Sequence, residues 1–406
     1  MNLDPHWHSS ITNHNHKDYK VKGFRAIVWQ SCAEIARRPV CWIGFFVLPL
    51  LLCFMFTNLM EQGLPTRIPA AIVDMDHTST SRQITQTLNT MQMVEVSNAA
   101  ESFSQARHLM QEGKIYGYFL VPQNFEKDLL AGRRPVISFY TNMTYYVPAN
   151  LLFKNFKLTA VYTKAGAVSA ILSGIGIPSQ EISGMLSPVT FVTRPLNNPW
   201  LNYPVYLTNS FLPAVFQLMI LFMTCYLVTD DIKYGFSRYY LAQAKGAVLR
   251  YLFAKLLPST VIWLVEIIFM YSLLFHWCHF PMNGSPWWML LSEVLFVFAS
   301  QGFALFIVCA IPNMRLALST CALLGILTFS LAAFSFPVES MYGAMGIFSY
   351  ILPMRYNFLI YIDQALNGID IYYSRWWYVA YFIFILLPLP LLGRLKKSMA
   401  NPVYAP

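Results

Sequence analysis

The chain has 406 residues, of which 56% are hydrophobic, 16% aromatic and only 12% charged, and its formal net charge is +9. That balance excludes an ordinary water-soluble domain and places most of the chain in a bilayer. The positive charge is accounted for by where Lys and Arg flank the apolar runs, so no nucleic-acid partner is expected.

Residues 1–22 form a polar cytoplasmic tail whose "HWHSSITNHNH" reads as solvated chain rather than as a metal site. In residues 23–39, Phe24, Ile27, Val28, Cys32 and Ile35 recur at helical spacing against Arg25, Gln30, Glu34 and Arg37. This predicts an amphipathic helix lying along the inner membrane surface, with Trp29 at the interface and Pro39 ending it. A hydrocarbon core of about 30 Å needs roughly 20 apolar residues of helix, and residues 40–60 supply the first such run. No small-residue cleavage site follows, so it reads as a retained anchor.

Residues 61–207 are the one long polar region, and they read as α/β. "RIPAAIVD", "KIYGYFLVP" and "RPVISFY" are strand-like, with "TSRQITQTLNTM", "AESFSQARHLMQEG", "PQNFEKDLLAG" and a longer segment after Ala149 helical between and after them. Asn98 with Glu101 suits a capping box, and Gly113 a helix stop. The Pro- and Asn-rich "TRPLNNPWLNYP" returns the chain to the membrane.

Residues 208–393 hold five further spans, near Phe211–Thr229, Tyr251–Phe275, Trp288–Ile311, Leu316–Phe336 and Trp376–Leu392. Lys and Arg cluster before the first span, after the second and fourth, and after the sixth, in the tail 394–406, whereas "HWCHFPMNGSP" has none. Both termini are therefore expected in the cytoplasm, and the insert outside it. His276, Cys278 and His279 in that loop fit interface anchoring better than metal binding. Six of the seven cysteines sit in or beside spans, so no disulfide framework is expected in the insert.

Two acids lie inside spans. Glu266 is deep in the third, where it is either functional or a neutral hydrogen-bonded packing lock, and Glu293 is nearer the outer end of the fourth, where it is expected to reach water. No phosphate-binding G-x-x-x-x-G-K-[ST], H-E-x-x-H, C-x-x-C or G-x-S-x-G is present. No residue is thus expected to act catalytically and no metal is expected. The fold class is an α-helical polytopic membrane protein of six transmembrane helices, with an α/β extracytoplasmic domain inserted between helices one and two.

Several motifs carry a family resemblance. Glu34, Arg37 or Arg38 and Pro39 match an entry motif; Ile72, Val73, Asp74, Asp76, Ser79 or Thr80, Ser81 and Arg82 match the opening of an outer domain. Gly113, Ile115, Gly117, Phe119, Val121, Pro122 and Phe125 match its continuation, and Phe336, Pro337, Met341, Leu352, Pro353 and Tyr356 a motif of the final third. In this order the chain resembles the permease subunit of type-2 ATP-binding-cassette exporters. It departs where the family's loop after the second helix shows G-T and a later T-P: Gly235 is followed by Phe236, and "LAQAKG" has no proline.

The resemblance implies a bacterial inner-membrane permease that is not itself an ATPase, with ATP and Mg on a separate ATPase subunit and a second permease chain, identical or not, facing it. A periplasmic adaptor and an outer-membrane channel are partners it leaves open. It implies that the helix 23–39 and a coupling loop 230–250 receive the ATPase's movement, through Glu34, Arg37, Arg38, Asp230, Asp231, Lys233, Gly235 and Arg238. It implies that 337–356 is a re-entrant segment capping the path, an outer gate of Phe336, Pro337, Glu339, Pro353 and Arg355, with Glu339 and Arg355 at the water boundary. Two other classes remain open on the residues alone: a membrane-tethered sensor with an outer ligand-binding domain, and a proton-coupled carrier using Glu266.

Overall fold

A computed structural model describes residues 23–59, 65–133, 135–178, 181–182, 197–198, 203–334 and 336–402. The His-rich tail and most of "TRPLNNPWLNYP" lie outside the described residues. The chain divides into two compact units, one of residues Met1–Glu61 with Leu196–Pro406, the other Gln62–Pro195.

In the first unit, helix α1 (Phe24–Arg37) ends at Arg38, whose extended backbone lets Pro39 start helix α2 (Pro39–Asn58). A π-helical turn at Ile43–Val47 interrupts α2. The buried face of α1 is Ala26, Ile27, Gln30, Ser31 and Ile35, while Phe24, Trp29 and Cys32 are exposed, a rotation from the apolar stripe expected. An apolar side chain on such a helix suits lipid as well as protein, so hydrophobic spacing alone does not select the face that packs on protein.

The second unit holds β1 (Ile68–Asp74), α3 (Ser79–Asn89), β2 (Val94–Ala99), α4 (Phe103–Gln111), β3 (Gly117–Val121), α5 (Phe125–Leu130), β4 (Ser138–Thr141) and α6 (Tyr146–Gly174). The sheet order is β2-β1-β3-β4, with β1 parallel to β2 and β3, and β4 antiparallel. Alternation along the strands feeds two cores: Ile68, Ala70, Ile72 and Phe119 join Ile84, Leu88, Phe125 and Leu152, while Ala71, Val73 and Tyr118 join Ala106 and Ile115. Strand β2 was not expected; "VEVSNA" carries polar residues at Glu95, Ser97 and Asn98, tolerated because it is the sheet edge. Asn98 therefore lies in a strand, and the cap of α4 is Ser102, whose hydroxyl accepts from the Gln105 N–H at 3.2 Å. Gly113 does end that helix, at φ 74°, with Lys114 N–H returning to the Leu109 carbonyl.

The Asp-rich opening of this unit is a structural knot. Asp74 accepts from the N–H groups of Asp76 and His77 and from the Ser81 hydroxyl, while Asp76 accepts from the Phe125 and Glu126 N–H groups. Ser79 and Thr80 in turn donate to Glu126. These bonds tie the β1–α3 turn to the start of α5.

Returning to the first unit, α7 (Tyr203–Lys233) begins and ends well outside the span expected from sequence. Pro204 sits in its first turn, where a missing N–H costs nothing, and Pro213 is tolerated inside it. Then come α8 (Phe236–Gln243), α9 (Val248–Ser272, continued by a π turn Leu273–Trp277), α10 (Pro286–Ala310) and α11 (Met314–Leu331). Beyond a 3₁₀ turn at Val338–Ser340 lie α12 (Gly343–Ser349), α13 (Pro353–Ile360, continued by a π turn Tyr361–Asn367), α14 (Ile371–Leu386) and α15 (Leu392–Ala400). Among the described residues, six helical segments are long and apolar enough to span a membrane: α2, α7, α9, α10, α11 and α14 with α15. Of these, α7 and α10 are the most buried, and α2 and α11 the least. Gly302 of α10 lets the backbone of α14 come close, since a Cβ there would meet Phe384 O and lie 2.9 Å from Ile385 Cα.

Candidate functional site

At one end of the membrane unit, α1, α7, α8 and α9 meet around buried charges. The residues 230–250 are not a loop: Asp230 and Asp231 occupy the last turn of α7, Gly235 in the left-handed region (φ 78°) joins it to α8, and α9 begins at Val248. Lys255, one turn past Tyr251 on α9, places its ammonium 2.6 Å from Glu34 Oε2 and 2.8 Å from Asp231 Oδ2. Tyr251 donates to Asp231 Oδ2 at 2.6 Å and Tyr240 of α8 donates to Glu34 Oε1 at 2.7 Å. Beside them Arg38 donates to Asp230 Oδ2 at 2.5 Å and to the Tyr226 hydroxyl at 3.2 Å.

Both Lys255 and Asp231 side chains are only 1% exposed. Three carboxylates thus face two cations, and every charge in the group has a partner. Burial pushes the Glu34 carboxyl up, but Lys255, Tyr240 and Arg38 together hold it below the usual carboxylate range. Burial pulls the Arg38 guanidinium down, and Asp230 and Glu34 more than reverse it. Burial, with Asp231 and Glu34 nearby, drives the Tyr240 hydroxyl up, so it remains a donor. A last tie joins backbone to side chain: Ser31 donates to the Lys255 carbonyl at 2.6 Å, three residues before Pro258.

The structure therefore brings Glu34, Arg38, Asp230 and Asp231 together. It does not bring Arg37, which is exposed, nor Lys233, which lies over the Tyr234 ring, nor Arg238, whose Nε donates to Ala400 O of α15 at 2.8 Å. Lys255, Tyr240, Tyr251, Tyr226 and Ser31 were not singled out from sequence. The available signal was Lys255 itself, a cation inside an apolar span, for which a partner is required.

The segment expected to be re-entrant, 337–356, consists of the 3₁₀ turn, α12 and the start of α13, and the helical run continues through the π turn to Asn367. Phe336, Pro337 and Glu339 are exposed, and Pro353 opens α13 as its first residue. Arg355 is not at a water boundary: it is 7% exposed, donates to the Ser349 hydroxyl at 3.0 Å and stacks over Tyr350. Glu293 likewise does not reach water, being 1% exposed and accepting from Asn357 Nδ2 at 3.0 Å. Glu293 is covered by Asn357 of α13, while Arg355, itself on α13, is turned onto Ser349 of α12 and the Tyr350 ring after it, contacts that no local pattern encodes. Glu266 is buried on α9, and neither of its oxygens has a hydrogen-bond partner among the described residues. Among the described residues there is no group of three His, Cys, Asp or Glu placed to hold a metal.

A family profile described as "ABC-2 family transporter protein" matches residues 40–392. No curated protein matches the chain.

Proposed function

The chain belongs to the ABC-2 transporter family, and on that premise we propose that it is the permease of an exporter driven by ATP hydrolysed on a separate subunit. The observation that carries this reading is the buried ionic group joining α1, α7, α8 and α9. A push on α1 or α8 is transmitted through Glu34 and Tyr240 to Lys255, and so to the central spans α7 and α9. Close-packed helices transmit strain, the ion pairs tie α1 and α8 to the central spans at fixed points, and a packed helix pair shifts between discrete arrangements.

In this reading the end bearing the ionic group faces the cytoplasm of a bacterial inner membrane, with both termini there, and the unit of residues 62–195 lies outside. A second permease chain completes the path, and α12 and α13 close its outer side. The chain's own work is conformational gating, with no covalent step.

The test is purification of the tagged full-length chain from its native membrane, with ATPase activity assayed in the eluate. An ATPase subunit is expected to co-purify, and Glu34→Gln is expected to lower the activity of the assembled complex several-fold without dissociating it. Recovery of the chain without ATPase, alongside an intact control complex, overturns the reading.

One observation favours a second reading. Among the described residues no donor reaches the Glu266 carboxyl, which leaves it open to take up and release a proton. A proton-coupled carrier loses transport on Glu266→Gln and on adding a protonophore, whereas an exporter with ATP present keeps working under the protonophore.

A further inference from the structure

An apolar groove of about 470 Å³ lies against the outside of the membrane unit, walled by Val28, Cys32 and Ala36 of α1, Trp42 and Phe46 of α2, and Leu257 and Val261 of α9. Its size falls within the roughly 300–1,000 Å³ of small-molecule sites. It sits directly beside the ionic group: Ile35, next to Glu34, and Leu257, two residues from Lys255, both line it.

Two of its three helical walls, α1 and α9, each lead to a cation. On α1, Arg25, Val28, Cys32 and Ala36 recur at steps of three and four residues and so share a face. On α9, Arg250, Leu257 and Val261 follow the same rule at steps of seven and four. Both arginines are exposed, and neither has an ion-pair or hydrogen-bond partner among the described residues. An apolar trough flanked by uncommitted guanidinium groups has the chemistry of an acyl chain with an anionic head.

We propose that this groove binds one anionic phospholipid, its acyl chain between α1, α2 and α9 and its phosphate on Arg25 and Arg250. Seated there, the lipid holds α1 at a fixed distance from α9 and so sets the geometry of the Glu34–Lys255 contact. The groove thereby makes the coupling end responsive to the charge of the surrounding leaflet.

The inference is tested without any ATPase, so it stands or falls apart from the exporter reading. The full-length chain is reconstituted in nanodiscs of phosphatidylglycerol or of phosphatidylcholine, released into detergent and weighed intact by native mass spectrometry. One retained phosphatidylglycerol per chain is expected, with phosphatidylcholine retained at least tenfold less. Val261→Trp, which fills the groove, is expected to abolish retention, and Arg25→Gln with Arg250→Gln to remove the preference between the two lipids. Cys32→Trp fills the groove from an exposed position on α1 and gives the same readout where Val261→Trp does not fold. Equal retention of both lipids by the unmodified chain, or retention unchanged in the groove-filling variants, overturns the proposal.

Discussion

A lysine within an apolar helix is costly unless a counter-charge reaches it, and Lys255 is met by two carboxylates and a tyrosine-braced shell. Removing one member of such a group leaves the others buried and unpaired, which costs about 3–5 kcal/mol. Lys255→Met is therefore expected to lower the thermal midpoint of the purified chain sharply, and adding Asp231→Asn to restore part of the loss; strict additivity of the two would sink the idea that they form a unit. Glu34 supplies a pH signature. Its folded pKa is depressed, so its stabilising contribution is complete above its unfolded value of about 4.3 and is lost as pH falls through the folded one. Glu34→Gln is expected to flatten the fall in stability below about pH 4.3 while leaving the neutral-pH slope unchanged. Glu34, Arg38, Asp230 and Asp231 came from the family resemblance and Lys255 was readable as a cation inside an apolar span, whereas Tyr240 and Tyr251 were not. Tyrosine at a span end normally signals the interface, and only the fold turns these hydroxyls onto carboxylates.

Among the elements, length and hydropathy located all six spans, and missed their ends where polar residues are neutralised by tertiary partners. The close of α7 is such a case: Asp230 and Asp231 read as the beginning of a loop, yet Arg38 and Lys255 allow the helix to carry them to Lys233. The opposite error ends the fifth span, whose apolar run continues to Phe336 while helix α11 stops at Leu331. There Ala333 adopts φ 66° and the Phe334 carbonyl accepts from the Tyr206 hydroxyl, so the chain leaves the helix to make a contact with α7. Close approach of α10 and α14 depends on Gly302. Gly302→Val is expected to cost about 1–3 kcal/mol through overpacking, seen as a lower thermal midpoint, while Gly166→Ala, in open space inside α6, is expected to hold or raise it. Equal midpoints for both variants would show that the α10–α14 contact is loose.

For the whole molecule, the proposed orientation puts α8 in the cytoplasm and the α9–α10 connection outside. With the seven native cysteines replaced, Trp287→Cys is expected to react with a membrane-impermeant maleimide added to spheroplasts, and Tyr239→Cys only after lysis. Both positions are exposed, so labelling in the reverse order would invert the topology and move the ionic group to the outer face.

What the sequence determined by itself was whatever depends on local sums: an overall hydropathy that commits the chain to a bilayer, runs long enough to span it, three strands rich in β-branched and aromatic residues, and cations placed at span ends. What only the tertiary structure decided was which polar residues meet. Glu34 lies 221 residues from Lys255, and Glu293 lies 64 residues from Asn357. Buried charge is sustained only by a partner, and the fold alone chooses that partner, because a counter-charge leaves no periodic trace in the segment it completes.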